Sequence, residues 1–346
     1  MSHYNRDSLL PGPARPGMPP VGLAGRWDKS DTLSESRTTG EDMMRKRPRV
    51  PVAALGLTIM FVVVANAWAQ HTPPQLSDEE IQKITNAIPD APAAKPARQR
   101  KVLIFWRCEG FFHGDGIAAG NKAFELMGEK TGAYTTVTSD DMAMFDSEKL
   151  SQFDAVILNN TTALKFEAPQ HRKALLDFVH GGKGIVGTHS SVDNFYNWPE
   201  GAAMMGALFA GHPWGEAPVK LDDPSHALLK AFDGKGFWAR DEMYKMRDPY
   251  SRESLRVLLS FDMSKLPDNA PTRDDKDNAI AWVHQVGRGR VFYCSLGHNR
   301  HIFWDPAIVK FYLDGIQYAL GDLPADATPS AKLDPQPQPV LPPPKP

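Results

Sequence analysis

Short apolar runs alternate with amphipathic stretches along the first half of the chain. The apolar runs are bounded by charged residues, as in buried parallel strands, and the amphipathic stretches have helical spacing and end at glycines. The predicted order is strand 101–106, helix 118–130, strand 134–138, strand 153–158, helix 170–180 and strand 184–188. This alternation predicts an α/β fold with a doubly wound, mainly parallel central sheet.

The second half of the chain is less regular. Residues 279–285 and 290–295 are two apolar runs on either side of Gly287-Arg288-Gly289, which predicts a pair of strands. A last helix is predicted over 305–320, because an Asp-Pro pair opens it and a glycine follows it. We therefore expect the folded domain to span residues 101–323.

Residues 44–69 have the three-part pattern of a signal peptide. A basic segment, 45–49, precedes an uncharged apolar run, 50–64, and Ala67-Trp68-Ala69 supplies the small residues that signal peptidase recognises. We expect cleavage after Ala69 and a periplasmic or secreted protein without membrane contact after cleavage. The alternative is a retained anchor, but a membrane span needs roughly 20 apolar residues, more than this run offers.

Flanking segments lie on both sides of the predicted domain. Residues 1–43 are polar and cannot bury a core, so the simplest hypothesis is that translation starts at Met43 or Met44. Residues 70–100 predict a solvated linker with one short amphipathic helix, which a Ser77–Glu80 capping box opens. Residues 324–346 are rich in proline, and we expect them to be disordered or extended.

The composition is that of an ordinary globular protein, with 42% hydrophobic residues. The formal net charge is −2 over 346 residues, which gives no electrostatic case for binding a nucleic acid. The two cysteines, Cys108 and Cys294, are too few for a disulfide framework. Export would permit a bond between them, but nothing in the sequence brings them together, so we favour two unpaired thiols.

Three of the eleven histidines, His113, His189 and His298, follow predicted strands by a few residues. The carboxyl ends of parallel strands meet at one edge of a sheet, where α/β proteins bind their ligands. A single histidine in such a place is more often a hydrogen-bonded loop residue. Three of them predict a shared cleft. His212 lies in an irregular loop that the sequence does not place.

Two acids and a phenol lie close together in Asp241-Glu242-Met243-Tyr244. This run is either a solvated charged turn or the source of a carboxylate for general-base or metal chemistry. The sequence contains no standard metal or dinucleotide motif. Residues 187–191 have the strand-to-turn position of a nucleophile elbow, but the residue at its apex is His189.

Taken together and in this order, these stretches resemble the ThuA-like, or trehalose utilisation, family. The resemblance covers residues 101–323 and rests on the ordered set of motifs rather than on one of them. The matching stretches are Phe112-His113-x-Asp115, 181–189, Trp198-Pro199, Met205-Gly206-x-x-Phe209, 211–213, Asp223-Pro224-x-His226, 241–244, Trp282 with 287–293, and 296–298.

The resemblance implies a flavodoxin-like sandwich similar to the class I glutamine amidotransferases. Those enzymes carry a cysteine at the nucleophile elbow, where this chain has His189, so thiolate glutaminase chemistry is not supported. The family often has two adjacent histidines at its first motif, whereas Gly114 follows His113 here, which would alter a metal site. The family also suggests a homodimer.

The resemblance further implies a role in the use of trehalose or related sugars, including 3-oxo-glycosides. As an exported hydrolase, lyase or isomerase, the protein would use its three histidines to polarise a carbonyl or to shuttle protons, with Asp241 or Glu242 as base. In a variant of this hypothesis, His113, His189 and His298 hold a divalent metal such as zinc. The residues expected to bind the sugar are Asp115, Trp198, His212, Tyr244 and Trp304.

Two other classes of function are compatible with the sequence. The same pocket would serve a carbohydrate-binding protein that has no catalytic activity. An amidotransferase-like subunit would require a reactive thiol at Cys108 or Cys294. For the enzyme and for the carbohydrate-binding protein, the expected partner is a small-molecule carbohydrate rather than a nucleic acid.

Overall fold

The computed structural model describes residues 72–213, 215–266 and 273–345. The N-terminal extension 1–43 and the signal peptide 44–69 that the sequence predicts lie outside these residues. Within the described ranges, we find no helix that combines the length and the apolar character needed to span a membrane.

The described chain alternates strands and helices in the order that its first half predicts. The helices are α1 (Asp78–Ala87), α2 (Gly114–Thr131), α3 (Ser147–Leu150), α4 (Pro169–His180), α5 (Pro199–Met205) and α6 (Pro306–Leu320). The strands are β1 (Lys101–Phe105), β2 (Thr135–Ser139), β3 (Ala155–Asn159), β4 (Gly184–Thr188), β5 (Leu208–Phe209), β6 (Ala217–Leu221), β7 (Phe237–Ala239), β8 (Met246–Arg247), β9 (Arg256–Phe261), β10 (Ala279–Val286) and β11 (Gly289–Cys294).

Nine of these described strands form one sheet in the order β2-β1-β3-β4-β11-β10-β9-β6-β7. The strands from β2 to β11 in this order are parallel, and β10, β9, β6 and β7 continue the sheet in antiparallel pairs. Strands β5 and β8 pair with each other in a separate ribbon. The doubly wound α/β fold and the β10–β11 hairpin are therefore confirmed.

The side chains of β1 alternate between two hydrophobic cores. Val102 and Ile104 face the core that includes residues of α1, α2 and α6, and Leu103 and Phe105 face the core that includes residues of α4 and α5. Successive side chains of a strand point to opposite faces of the sheet. A strand covered by helices on both faces therefore needs a continuous apolar run, which is the pattern that predicted β1.

The irregular region of the described chain contains five strands, β5 to β9, that the sequence pattern did not predict. Strand β9 has the sequence RVLLSF, is buried along its whole length, and pairs with β10 and β6. Its apolar run resembles that of β1 and was a signal for a strand. Strands β6 and β7 are short, and Pro218 lies within β6, so their pairing with neighbours defines them more than their composition does.

The segment before β1 begins as predicted and then departs from the prediction. The capping box of α1 is present, since the Ser77 hydroxyl accepts from the Glu80 amide and the Glu80 carboxylate accepts from the Ser77 amide. Residues 89–100, which follow α1, are exposed or half-buried, but they also bind to the domain. The backbone of Ala94 exchanges hydrogen bonds with the Gln317 side chain of α6, and Arg100 forms an ion pair with Asp322.

Residues 324–345 form an extended segment, here called the C-terminal strap, which lies against the domain. The Ser330 hydroxyl accepts a hydrogen bond from the Val257 amide of β9 at 2.9 Å. Val340 exchanges two backbone hydrogen bonds with Leu221 of β6, at 2.9 and 3.0 Å. Of the two states expected for 324–346, disordered or extended, the described residues 324–345 adopt the extended one. The proline-rich chain has no core of its own, but it finds backbone partners along the antiparallel half of the sheet.

Replacing Ser330 with alanine should destabilise the folded domain. The buried Val257 amide would lose its acceptor, which costs about 1–3 kcal/mol of the free energy of unfolding. Urea unfolding of Ser330→Ala, compared with the exposed control Ser151→Ala, measures the effect. Equal stability of the two variants would contradict the docking of the C-terminal strap.

The free energy of unfolding should fall in mild acid because of a buried histidine in β10. The Nε2–H group of His284 donates to the Met204 carbonyl at 2.9 Å, and burial lowers the pKa of His284 from 6.5 to about 4. The folded state favours the neutral ring, so stability that is present above pH 6.5 is lost as the pH falls towards 4.

The expected loss from this group is about 3 kcal/mol at pH 4, on the scale of 1.36 kcal/mol per pKa unit. Urea unfolding between pH 7.5 and pH 4.5 measures it. The variant His284→Gln keeps a donor and cannot titrate, so its stability should fall less over this range. Parallel pH curves for the two proteins would contradict the assignment.

Candidate metal centre

Three histidine side chains meet at the carboxyl edge of the parallel strands. His113 precedes α2 in the connection from β1, His189 directly follows β4, and His298 follows β11. The centroids of their rings are 5.1 to 5.2 Å apart in all three pairs. The structure therefore brings together the three residues whose positions after strands predicted a shared cleft.

The carboxylate of Glu242 lies among these rings. Its Oε2 atom is 3.3 Å from Nε2 of His189, 3.2 Å from Nδ1 of His298 and 3.9 Å from Nε2 of His113. One ligand atom from each of these four residues lies within 4.8 Å of all the others. We call His113, His189, Glu242 and His298 the histidine–glutamate cluster. Three imidazoles and one carboxylate are a donor set that zinc and similar ions accept.

The backbone of His189 has the left-handed conformation, with φ of 47°. This conformation is costly for a residue other than glycine and is common at functional sites. The Tyr293 hydroxyl donates to the His189 carbonyl at 2.7 Å, and Nδ1 of His189 lies 2.8 Å from the Ser295 carbonyl. Because a carbonyl only accepts, Nδ1 carries the proton in the neutral ring. The lone pair of Nε2 therefore points into the cluster.

Two hydroxyl groups orient the ring of His113. Its Nδ1 atom lies 3.2 Å from the Thr162 hydroxyl and 3.4 Å from the Ser190 hydroxyl, which leaves Nε2 facing Glu242. Burial lowers the pKa of His113 from 6.5 to about 4. The ring is therefore neutral at physiological pH, the form in which histidine binds a metal.

The remaining two members of the cluster favour their charged forms. Burial alone would raise the pKa of Glu242, but the facing imidazoles of the three histidines outweigh it and hold the pKa well below its usual range. The Glu242 carboxylate in turn raises the pKa of His298. Glu242 is thus the anionic member of the cluster.

Asp241 is turned away from the cluster and holds the loop that carries His298. Its buried carboxylate accepts from the amides of Gly297 at 2.6 Å, His298 at 3.2 Å and Asn299 at 3.1 Å. The side-chain amide of Asn299 donates to it as well, at 2.8 Å. All of its described contacts are thus to this loop, so the structure makes Asp241 a positioning residue, and Glu242 is the acid that faces the histidines.

A cavity of about 830 Å³ opens beside the cluster. Glu242 and His298 form one wall, and His212, Arg240 and His301 lie around the rest. Nδ1 of His212 is 3.2 Å from Oε1 of Glu242, so the irregular loop places this histidine at the cavity. The volume lies within the range of small-molecule sites.

Two aromatic residues predicted to flank a sugar are buried instead. Trp198 is 3% exposed and packs against Phe166 and Phe195 in the hydrophobic core. Tyr244 is 2% exposed, and its ring lies 4.3 Å from that of His189. Tyr244 therefore supports a histidine of the cluster from behind. Aromatic type alone did not reveal that both rings point inward.

Two further residues predicted to bind a sugar make other contacts. The Asp115 carboxylate forms an ion pair with Arg300, which also binds Glu80 of α1. The ring of Trp304 lies under the ammonium of Lys83, 4.7 Å from its centroid. Neither residue lines the cavity, so the structure does not support the sugar-binding role predicted for them. Their contacts instead join α1 and α2 to the loop after His298.

Both cysteines are free and buried. Burial raises the pKa of Cys108, and it raises that of Cys294 to about 12. A catalytic thiol needs a depressed pKa and access to substrate. The environment of both thiols therefore opposes the amidotransferase hypothesis.

Several residues that complete the site carried no signal in the sequence. Thr162 and Ser295 orient two of the histidines, yet serine and threonine are common in every loop. Arg240 and His301 reach the cavity from the irregular half of the chain. Only Arg240 had a neighbouring clue, since it precedes the acidic pair at 241 and 242.

The family of this chain follows from a match over most of the folded domain. The profile of the ThuA family, described as trehalose utilisation, matches residues 101–319. This chain belongs to the ThuA family. No curated protein matches it.

Solved structures of ThuA-like proteins share the fold. One from Bacteroides uniformis ATCC 8492 is 22% identical, with a TM-score of 0.55 over 66% of this chain and 94% of that chain. Another, from Parabacteroides merdae ATCC 43184, is 18% identical, with a TM-score of 0.51 over 67% of this chain and 93% of that chain. At this identity the likeness supports the flavodoxin-like fold and not an activity.

ThuA-family chains often have a second histidine directly after the first at this motif. In this chain Gly114 takes that place and opens α2. A Cβ atom there would lie 3.1 Å from the Phe112 ring and 3.2 Å from Pro74. The cluster already has four donors from other positions. The departure from the family pattern thus leaves the donor set of this ThuA-family chain intact.

Replacing Asp241 with asparagine should displace His298 and destabilise the domain. One of the two oxygens becomes an N–H₂ group that faces backbone N–H donors, so buried amides lose their acceptor. We expect a loss of about 2–4 kcal/mol in the free energy of unfolding, measured in urea. Asn299→Ala is the matched control, because it removes one of the four donors and keeps the charge. If Asp241→Asn were no more harmful than Asn299→Ala, the positioning role would be wrong.

Proposed function

We propose that this chain is a metal-dependent enzyme that acts on trehalose-type sugars or their 3-oxo-glycosides as a hydrolase, lyase or isomerase. The observation that carries the proposal is the convergence of three imidazole nitrogens on the Glu242 carboxylate, next to a cavity of small-molecule size. The family description, trehalose utilisation, supports the class of substrate.

The case for a cation rests on His189. Its Nδ1 proton is committed to the Ser295 carbonyl, so a lone pair of the neutral ring faces Oε2 of Glu242 at 3.3 Å. A lone pair and a carboxylate repel each other at this distance unless a proton or a metal cation lies between them. A divalent ion such as zinc relieves this repulsion, and the carbonyl behind the ring is the outer contact typical of metal-binding histidines.

Bound metal would polarise a carbonyl oxygen or activate a water molecule, the chemistry that a 3-oxo sugar requires. The residues of the chain supply the setting. Glu242 and His298 face the cavity, and the buried rings of His113 and His189 lie next to them in the cluster. His212 has one ring nitrogen on Glu242 and, within the described residues, no partner for the other, which can bind a sugar hydroxyl.

We also propose that this chemistry takes place outside the cytoplasm, in the periplasm or after secretion. Support comes from the basic segment, the apolar run and the small residues within 44–69. A sugar could then be modified before uptake, by a protein that needs no diffusible redox cofactor of its own.

The alternative is a carbohydrate-binding protein without turnover, which would use the same cavity. A binding protein can rely on shape and hydrogen bonds alone, whereas a metal centre with fixed outer contacts also supplies the Lewis acid that a reaction at a sugar carbonyl uses. The donor geometry therefore favours the enzyme.

Metal content tests the proposal. Protein purified without a histidine tag should contain about one equivalent of zinc or a similar ion by elemental analysis. His189→Ala removes a ligand and should weaken metal binding by roughly a hundredfold or more. His180→Ala, an exposed histidine at the end of α4, is the matched control and should bind metal like the wild type. Full activity without stoichiometric metal would contradict metal dependence.

A substrate screen separates the enzyme from the binding protein. Trehalose, other disaccharides and their 3-oxo forms are incubated with the protein with and without added zinc, and the products are analysed. We expect conversion of a 3-oxo form by the wild type, and binding without conversion by His189→Ala. A wild type that binds sugars and converts none of them would establish the alternative.

A further inference from the structure

Arg240 is a cation at the wall of the cavity that has no counter-ion. It follows β7, and it is exposed between the buried residues Ala239 and Asp241. Within the described residues, no carboxylate or carbonyl accepts from its guanidinium. Other arginines of the domain differ, since Arg256 binds Asp223 and Arg300 binds Asp115 and Glu80.

Both carboxylates at this cavity are already engaged. Four N–H donors surround that of Asp241, and the imidazoles of the histidine–glutamate cluster surround that of Glu242. Neither is therefore free to neutralise Arg240. The backbone at Arg240 is fixed as well, because its carbonyl accepts from Nε2 of His301 at 2.8 Å.

The remaining groups at the cavity add positive or donor character. His301 lies beside Arg240, and His298 also lines the cavity. A guanidinium presents a planar set of N–H donors that matches the oxygens of a carboxylate or phosphate. A neutral sugar would leave this set of donors without an anionic partner.

We infer that the cavity holds a subsite for an anionic group, formed by Arg240 and His301, and that the substrate is a sugar carrying a carboxylate or a phosphate. This inference rests on the proposed function for the sugar part of the ligand. The anionic group would lie at the Arg240 end of the cavity and the reacting carbon at the cluster.

Ligand-observed NMR titrations test the subsite with D-glucose, D-glucuronate and glucose 6-phosphate at fixed ionic strength. The protein is first treated with EDTA and dialysed, so that no metal contributes to anion binding. We expect at least one of the two anionic sugars to bind the wild type roughly tenfold more tightly than glucose, as a charge-assisted hydrogen bond provides. Which of them binds distinguishes a carboxylate from a phosphate subsite.

Arg240→Gln should abolish this preference, lowering the affinity for the anionic sugar roughly tenfold and leaving that for glucose unchanged. Arg240→Lys keeps the charge and should retain part of the preference. Arg288→Gln is the matched control. It removes the same charge from the turn between β10 and β11, at the end of β11 remote from His298. It should bind all three sugars like the wild type.

Two results would overturn the subsite. One is equal affinity of the wild type for glucose and both anionic sugars, and the other is an equal effect of Arg240→Gln and Arg288→Gln. These results are distinct from failure of the proposed function. Anion binding that depends on Arg240, without conversion of any sugar, contradicts the enzyme alone. Conversion of a neutral 3-oxo-glycoside, without a preference for anionic sugars, contradicts the subsite alone.

Discussion

The contact of Asp241 with the backbone of residues 297–299 joins the two halves of the site. Glu242 belongs to the irregular region between β7 and β8, whereas His298 follows β11. No sheet register relates these two segments at the point where they meet. The buried carboxylate of Asp241 holds the two segments together instead. Four N–H groups satisfy its charge and fix the loop against residue 241. The neighbouring carboxylate of Glu242 is then left to face the three rings.

Much of the fold could be predicted because its first half follows one physical rule. Strands such as β1 are covered on both faces and so are apolar throughout, and helices such as α4 show one apolar face. The same rule located His113 and His189, since residues after parallel strands share an edge. Strands β6 and β7 escaped prediction because they are short and are defined by pairing with neighbours far away in sequence.

The site was predicted less completely than the fold. The positions of the three histidines depend on strand topology, which the sequence pattern shows, but the direction of a ring depends on packing. Trp198 and Tyr244 are buried by contacts with aromatic residues from other segments. In the sequence, Asp241 and Glu242 are equal candidates for the functional acid. Only the position of the 297–299 loop separates an acid that holds backbone from one that faces imidazoles.

The C-terminal strap has a consequence for the order of events in synthesis. Strand β7 pairs with the first part of β6, and Val340 takes the place of a partner at Leu221, where β7 does not reach. Exposed strand edges are sites at which chains join one another and aggregate. Residue 340 is synthesised after every strand of the sheet, so this edge stays open until the strap docks. A chain that lacked Val340 would keep every residue of the histidine–glutamate cluster and still leave the backbone of Leu221 without this partner, at an edge where other chains could pair.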